Sequence, residues 1–595
     1  MVWEVLDSYI KTYEAGLASC QVAVFDKNGV ITSNYYGFSD IENQVEADAS
    51  TVYEWGSCSK LLVWIAVMQQ WERGNIDLDT DIREYLPKGF LTKLQYEDEK
   101  ITMKNLMSHN AGFQESFYEK QDGCREDELY DSLEEAVKAC ECYQAYHVGE
   151  FTVYSNWGTA LAAYIVERVS GETYTDYVRE NIFKPLGMDH TSIDPHMNDN
   201  EYVREKREKL KCYYRGIDKA DDEDYGTCIS WVQLFPAGSA MGTLEDFAKF
   251  VRAFVSEDCP LFEKNSTRAE MFKPTSYYGD SDIAKNCHGL WTDECKIQVL
   301  GHGGNTGGCS SMLKFDPESG LGVVIMTNEP GETMFNYGIP NLLFGKITDR
   351  EEFAGVTLED ENDISGIYLS KRTIDTGAAC FQKYIGGLFP WQKNAEDSYD
   401  MKLLGQNMNP EAKLVKVAEN QYIMDNNGMQ MFLYQSFDSK GNSKLEMMST
   451  DYVAGGKQTV PMVFFVSILI LGVICIVTLL IKIIVFLIRK IRKSDKHYNM
   501  QITFMQMIYA ATVVLLFGYV STTVAINHGM MVFVSILAAI LGITSLANGV
   551  ILGVNTIKTK EMKKRTIANI YIWSILSIVY FVFIITFQFY NFWTL

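Results

Sequence analysis

The chain has 595 residues, with 53 Lys and Arg against 76 Asp and Glu, a formal net charge of -23. Residues 460–595 carry 11 basic and 2 acidic side chains, which leaves 42 against 74 in residues 1–459. So acidic a body repels phosphates, which excludes nucleic acid as a partner, and the length calls for several domains. The 13 cysteines contain no Cys-x-x-Cys pair, and no His-Glu-x-x-His is present, so neither a metal nor a cofactor is expected. Twelve of those cysteines precede Val460, and disulfides are open to that part if it is exported.

The chain opens with an expected helix over Val2 to Tyr13, then two strand-like runs, Gln21 to Phe25 and Val30 to Tyr36. Asp26-Lys27-Asn28-Gly29 between them is a hairpin signal. Next comes Trp55-Gly56-Ser57-Cys58-Ser59-Lys60, running directly into the apolar stretch Leu61 to Met68, which reads as a helix. Leu106 to Gly112 closes a further short helix, and its His109 is read as structural. A helix over residues 157 to 170 starts just after Tyr154-Ser155-Asn156, and Pro236-Ala237-Gly238-Ser239 is a turn before a helix capped by Thr243. Strands return at Gln298 to Leu300, Ser311 to Phe315 and Gly322 to Met326. Strands at both ends with helices between them imply an α/β domain over 1–350, its termini paired in one sheet and an all-helical lobe inserted.

Short alternating runs such as Tyr422-Ile423-Met424 mark residues 351–458 as a small antiparallel β domain. Residues 459–595 read as a transmembrane region of four helices, at about 460–488, 502–526, 530–554 and 567–589. The basic loops 489–496 and 558–565 follow the first and third spans and so share one side. The positive-inside rule makes that side the cytoplasm and places residues 1–459 outside a cell membrane. Met1-Val2-Trp3-Glu4-Val5-Leu6-Asp7 has neither a basic nor an apolar leader segment, so the expected export signal is not present in this sequence. Gly549 and Gly553, preceded by Ser545, form a small-residue face that could meet a membrane partner or pack within the bundle.

The spacing of Ser57 and Lys60 carries chemistry. Three residues apart at a helix start, they lie on one face, so the lysine can activate the serine hydroxyl. Ser-x-x-Lys recurs by chance in so long a chain, and further groups are needed. Tyr154 can take and return the proton, and Asn156 can orient substrate and lysine at once. In His302-Gly303-Gly304-Asn305-Thr306-Gly307-Gly308 the glycines let a ligand approach a strand closely. The backbone N–H groups of Ser57 and Asn305 would then form an oxyanion hole.

The ordered set Ser57-x-x-Lys60, Tyr154-x-Asn156 and His302-x-Gly304 resembles the serine β-lactamase and penicillin-binding-protein superfamily in its class C branch. Leu106 to Gly112, Pro185-Leu186-Gly187-Met188, Pro236-Ala237-Gly238 and Gly242 to Asp246 agree with it, and the likeness covers residues 3 to 345. It implies a class C β-lactamase-like fold: an antiparallel sheet flanked by helices, plus the helical lobe. It also implies a serine hydrolase with catalytic Ser57, Lys60 and Tyr154, and with Asn156, His302, Gly303 and Gly304 orienting the substrate. A histidine where β-lactamases carry lysine is a weaker anion anchor, and relatives with His-x-Gly tend to be peptidases, D-amino-acid-specific hydrolases or esterases. The expectation is a membrane-anchored hydrolase working through a Ser57 acyl-enzyme on D-amino-acid or cell-wall-like peptides. The alternatives are an esterase, a prodrug-activating peptidase, or a sensor with little turnover.

Overall fold

The computed structural model describes residues 2–13, 17–116, 125–214, 223–224, 226–353, 363–377, 379–384, 386–403, 405–426, 428–456, 459–491, 499–521, 528–558 and 564–591. Most of each expected basic loop, and residues 522–526 of the second expected span, lie outside these. The chain divides into two compact units, residues 1–372 with 389–454, and residues 373–388 with 455–595.

The first unit is built on a nine-stranded sheet. Its strands are β1 (Ser19–Asp26), β2 (Gly29–Asp40), β3 (Val45–Glu46), β4 (Ser276–Tyr277), β5 (Ala284–Cys287), β6 (Leu290–Glu294), β7 (Gln298–Asn305), β8 (Ser310–Phe315) and β9 (Gly322–Thr327). Their spatial order is β3-β2-β1-β9-β8-β7-β6-β5-β4, so strands from both ends of the domain meet where β1 pairs antiparallel with β9. Alternation along these strands explains their continuous burial. Cys20, Val22, Val24, Val323 and Ile325 face α1 (Val2–Tyr13) and the helix Met334–Phe344, through Leu6, Ile10, Phe335 and Ile339. Ala23, Phe25, Val324 and Met326 join the larger core of the helical lobe on the opposite face.

The centre of that lobe is α2 (Lys60–Glu72), in which every residue from Lys60 to Gln70 is buried. A helix apolar all round belongs inside a core rather than on a surface. It is entered by the tight turn Gly56–Ser59, where Gly56 takes φ +50, a conformation that favours glycine.

Residues 366–454 close an eight-stranded antiparallel barrel, with Tyr368, Trp391, Leu414, Tyr422, Leu433 and Leu445 in its core. The sequence suggested a small β domain here, and full closure leaves it no open sheet edge. The barrel docks on the sheet and lobe through backbone and charge together. Asp451 N donates to Thr152 O at 3.0 Å, and Tyr154 N donates to Ser449 O at 3.0 Å. Buried Lys285 of β5 pairs with Glu446 at 3.0 Å and with Asp451 at 2.8 Å.

In the second unit, three helical stretches among the described residues are long and apolar enough to cross a membrane: Val460–Ile491, Val532–Thr556 and Lys564–Thr586. A shorter apolar stretch covers Met500–Leu516. The small-residue face packs inside this bundle. A Cβ on Gly549 would stand 2.8 Å from Ser574 O, and one on Gly553 would stand 3.3 Å from Ser574 Oγ.

Candidate active site

Lys60 directs its Nζ to Ser57 Oγ at 3.0 Å and to the carbonyl of Ala237 at 2.7 Å. The Pro236-Ala237-Gly238 turn therefore serves to hold the buried lysine. The same ammonium stands 4.7 Å from the centroid of the Tyr154 ring. Three groups 97 residues apart in sequence, from Ser57 to Tyr154, thus share one locus.

Tyr154 is fixed from two directions. On one side Val153 N donates to His109 O at 2.7 Å, and Ser155 N donates to His109 Nδ1 at 3.2 Å, with the imidazole 4.6 Å from the phenol ring. On the other side the barrel segment 449–451 pairs with residues 152–154. Burial first, and then the charge of Lys60, hold His109 well below the usual histidine range, so it stays neutral beside the lysine. Ser155 caps the helix Asn156–Ser170 by accepting from Gly158 N, which places Asn156 on the cleft at the first helical position.

The glycines of β7 let that strand close against the serine turn. A Cβ on Gly304 would stand 2.0 Å from Trp55 O and 3.0 Å from Ser57 N, and one on Gly56 would stand 2.7 Å from Asn305 N. The two amides named for the oxyanion hole therefore flank a single glycine-to-glycine contact. Pairing of β7 with β6 ends at Gly301, while pairing with β8 continues to Asn305, so residues 302–305 present an edge on which an extended acyl chain can lie. Cys58, unexplained by the motif, packs in this junction: its Sγ donates to His302 O at 3.3 Å and accepts from Ser311 Oγ at 3.2 Å.

His302 sits differently from its neighbours. Gly303 and Gly304 line the cleft, whereas the His302 ring is buried below it, stacked on Trp291 at 3.9 Å. Desolvation, with the charge of Lys60 adding to it, pushes its pKa down to about 3, and its Nδ1 lies 2.6 Å from Gly303 O. A neutral, enclosed imidazole shapes the strand and offers no charge to an anion.

The cleft has a volume of about 250 Å³ and is lined in part by Ser57, Tyr154, Asn156, Gly304 and Asn305. Trp291, Glu332, Arg372 and Ser449 also line it, and the motifs pointed to none of them. Arg372 and Ser449 belong to the barrel end of the unit, about 315 and 390 residues after the serine, and no local spacing could have revealed them. Burial pushes the Glu332 carboxyl up to about 7.

A family description for Beta-lactamase matches residues 6–343. Protein flp of Staphylococcus aureus (strain MRSA252) is 23% identical over 307 residues, covering 51% of this chain and 58% of that protein. PbpX of Bacillus subtilis (strain 168), named as a penicillin-binding protein, is 27% identical over 280 residues, covering 46% of this chain and 63% of that one. The matches thus span less than two thirds of these curated relatives. Among solved structures, the crystal structure of SurE superposes with a TM-score of 0.51 at 16% identity, over 76% of this chain and 98% of that one, a likeness of fold.

Proposed function

Since the chain belongs to the beta-lactamase family, a family of serine hydrolases, we propose that it is a membrane-anchored hydrolase working through an acyl-enzyme on Ser57. The observation that supports this reading most is the Lys60 ammonium, 3.0 Å from Ser57 Oγ and 4.7 Å from the Tyr154 ring centroid. As the hydroxyl attacks a carbonyl, Tyr154, in its phenolate form favoured by the adjacent Lys60 ammonium, takes the proton. The amides of Ser57 and Asn305 stabilise the oxyanion, and Tyr154 returns the proton to the leaving group. Water, activated by the same tyrosine, then releases the acyl group and restores the serine.

The substrate proposed is a D-amino-acid or cell-wall-like peptide. Neutral, buried His302 supports this over a β-lactam, because the strand lacks at that position the charge that would hold a β-lactam carboxylate. Residues 460–595 anchor the enzyme, and the basic segments after the first and third expected spans favour an outward-facing catalytic unit.

The test is labelling of the full chain in detergent with a fluorophosphonate, followed by turnover of a panel of D- and L-terminal peptides, nitrocefin and short acyl esters. Labelling of the wild type with none of Ser57→Ala is expected, together with preference for D-terminal peptides. Equal labelling of Ser57→Ala ends the nucleophile assignment, and turnover of esters alone would make the protein an esterase.

A further inference from the structure

We propose that Cys212 and Cys309 form a redox-active dithiol, a modification site apart from the Ser57 cleft, whose disulfide ties down the turn between β7 and β8. That turn leaves β7 at Asn305, whose backbone N–H is proposed to serve the oxyanion. The site stands independently of the hydrolase reading, because no step at Ser57 uses either thiol.

Both cysteines are buried and reduced in the structure. Their side chains meet, with the Cys309 thiol donating a hydrogen bond to Cys212. The Arg207 guanidinium also donates to Cys212 Sγ, at 3.8 Å, and is itself fixed by buried Glu54 at 2.8 Å. The turn presses directly on this group: a Cβ on Gly308 would stand 2.6 Å from Cys212 Sγ. Cys309 is held by its own turn, where its N donates to Thr306 Oγ1 at 3.0 Å and its O accepts from Thr306 N at 2.9 Å. Cys212 is held from both flanks. Its N donates to Gly226 O at 2.8 Å, and the N–H groups of Lys211 and Tyr213 donate to Ser39 O and Asn328 O, both at 3.0 Å. A disulfide therefore needs only a short approach of two sulfurs already in contact, and it joins the turn to an anchored segment 97 residues away in the chain.

The two thiols differ in the way that exchange requires. The hydrogen bond from Cys309, with the Arg207 charge adding to it, outweighs burial and holds Cys212 below the ordinary thiol range. Burial, and then Cys212, hold Cys309 well above it. The thiolate is the nucleophile, so Cys212 reacts first, and the oxidant is a small disulfide compound. The Cys212 thiolate attacks one sulfur of that compound, forms a mixed disulfide and expels the other sulfur as a thiolate. Cys309 gives its proton to that thiolate and attacks Cys212 Sγ, which expels the second sulfur and leaves the Cys212–Cys309 bond. The expelled thiolate takes up the proton that Cys212 had lost. The protein is oxidised by two electrons and the disulfide compound is reduced to two thiols.

A surface segment lies over the pair. Thr227 O accepts from Cys212 Sγ at 3.4 Å, and half-buried Cys228 donates from its Sγ to Gly307 O at 3.1 Å. This segment must open locally before a disulfide reaches Cys212, which makes the exchange slow and favours small oxidants.

The experiment equilibrates the full chain in detergent with mixtures of reduced and oxidised glutathione, blocks the remaining thiols with iodoacetamide and maps linked peptides by mass spectrometry. A Cys212–Cys309 link is expected to grow with the oxidised share and to reverse with dithiothreitol. Because it closes a long loop, the link is expected to raise the melting transition by about 3–5 °C. Cys228→Ser is expected to keep both the link and the shift, and Cys212→Ser and Cys309→Ser to lose both. Absence of the link at every ratio overturns the proposal, and so does a link that joins Cys228 to either residue in its place. A link that leaves the wild-type melting transition unchanged overturns the hold on the turn. The wild-type map decides the site even where a serine variant does not fold. Fluorophosphonate labelling of Ser57 reads the hydrolase separately, so failure of either reading leaves the other standing.

Discussion

Lys285 holds Asp451 at 2.8 Å with both side chains 2% exposed, joining a strand of the catalytic sheet to the barrel residue that also binds the backbone of Thr152. Lys444 completes the buried group, at 3.0 Å from Glu446. Lys285→Met leaves two buried carboxylates to one ammonium, and breaking a buried pair in this way costs about 3–5 kcal/mol. The expected outcome is that loss in urea unfolding of the full chain, with reduced kcat because residues 152–154 lose their partner strand. Wild-type stability in the variant would mean that the barrel docks by other contacts.

Tyr154→Phe keeps the ring that lies beside Lys60 and removes only the hydroxyl. Turnover is expected to fall about 10²–10⁴-fold with little change in KM, the size typical of a positioned acid or base. Steady-state kinetics on any accepted substrate reads this out, and an unchanged kcat would route the proton elsewhere.

Gly304→Ala places a methyl group where Trp55 O would be 2.0 Å away and Ser57 N 3.0 Å away. The strand must retreat, widening the gap between the two amides proposed to serve the oxyanion. Overpacking of this kind costs about 1–3 kcal/mol of stability, while loss of one oxyanion donor costs about 10²–10³ in kcat. Activity should therefore fail in protein that still folds, seen as slow fluorophosphonate labelling with a largely retained melting transition.

The pH dependence of stability carries the signature of His302. Its ordinary pKa is 6.5 and burial lowers it to about 3, so between these values the unfolded chain holds a proton that the folded chain does not. Its contribution is present above pH 6.5 and is lost as pH falls toward 3. His302→Gln removes that slope, and since His109 titrates in the same direction in both proteins, the difference between them isolates His302. Equal losses between pH 7 and pH 4.5 in variant and wild type would place His302 in contact with water.

Much of the frame was legible in the sequence because it is written in local patterns. The Asn28-Gly29 turn gave the first hairpin, the all-apolar run after Lys60 gave a helix with no solvent face, and three short motifs in order named Ser57, Lys60, Tyr154, Asn156 and Gly304 as a set. Their order along the chain implied a shared site, and the fold brings Ser57, Tyr154, Asn156 and Gly304 to one cleft with Lys60 buried beside Ser57. The role of His302 was less legible, since whether an imidazole meets substrate or lies beneath it depends on Trp291 stacked against it from β6.

The sequence by itself pointed to the family through three short motifs in order, to the sheet through strand-like runs at both ends of the domain, and to the serine-lysine pair through residues one turn apart. Only the tertiary structure decided what surrounds that pair. Closure of the barrel, its docking through Lys285 and Asp451, and the arrival of Arg372 and Ser449 beside Tyr154 are contacts across some 90 to 300 residues. Such contacts follow from how two folded surfaces bury their charges together, and no spacing along the chain encodes them.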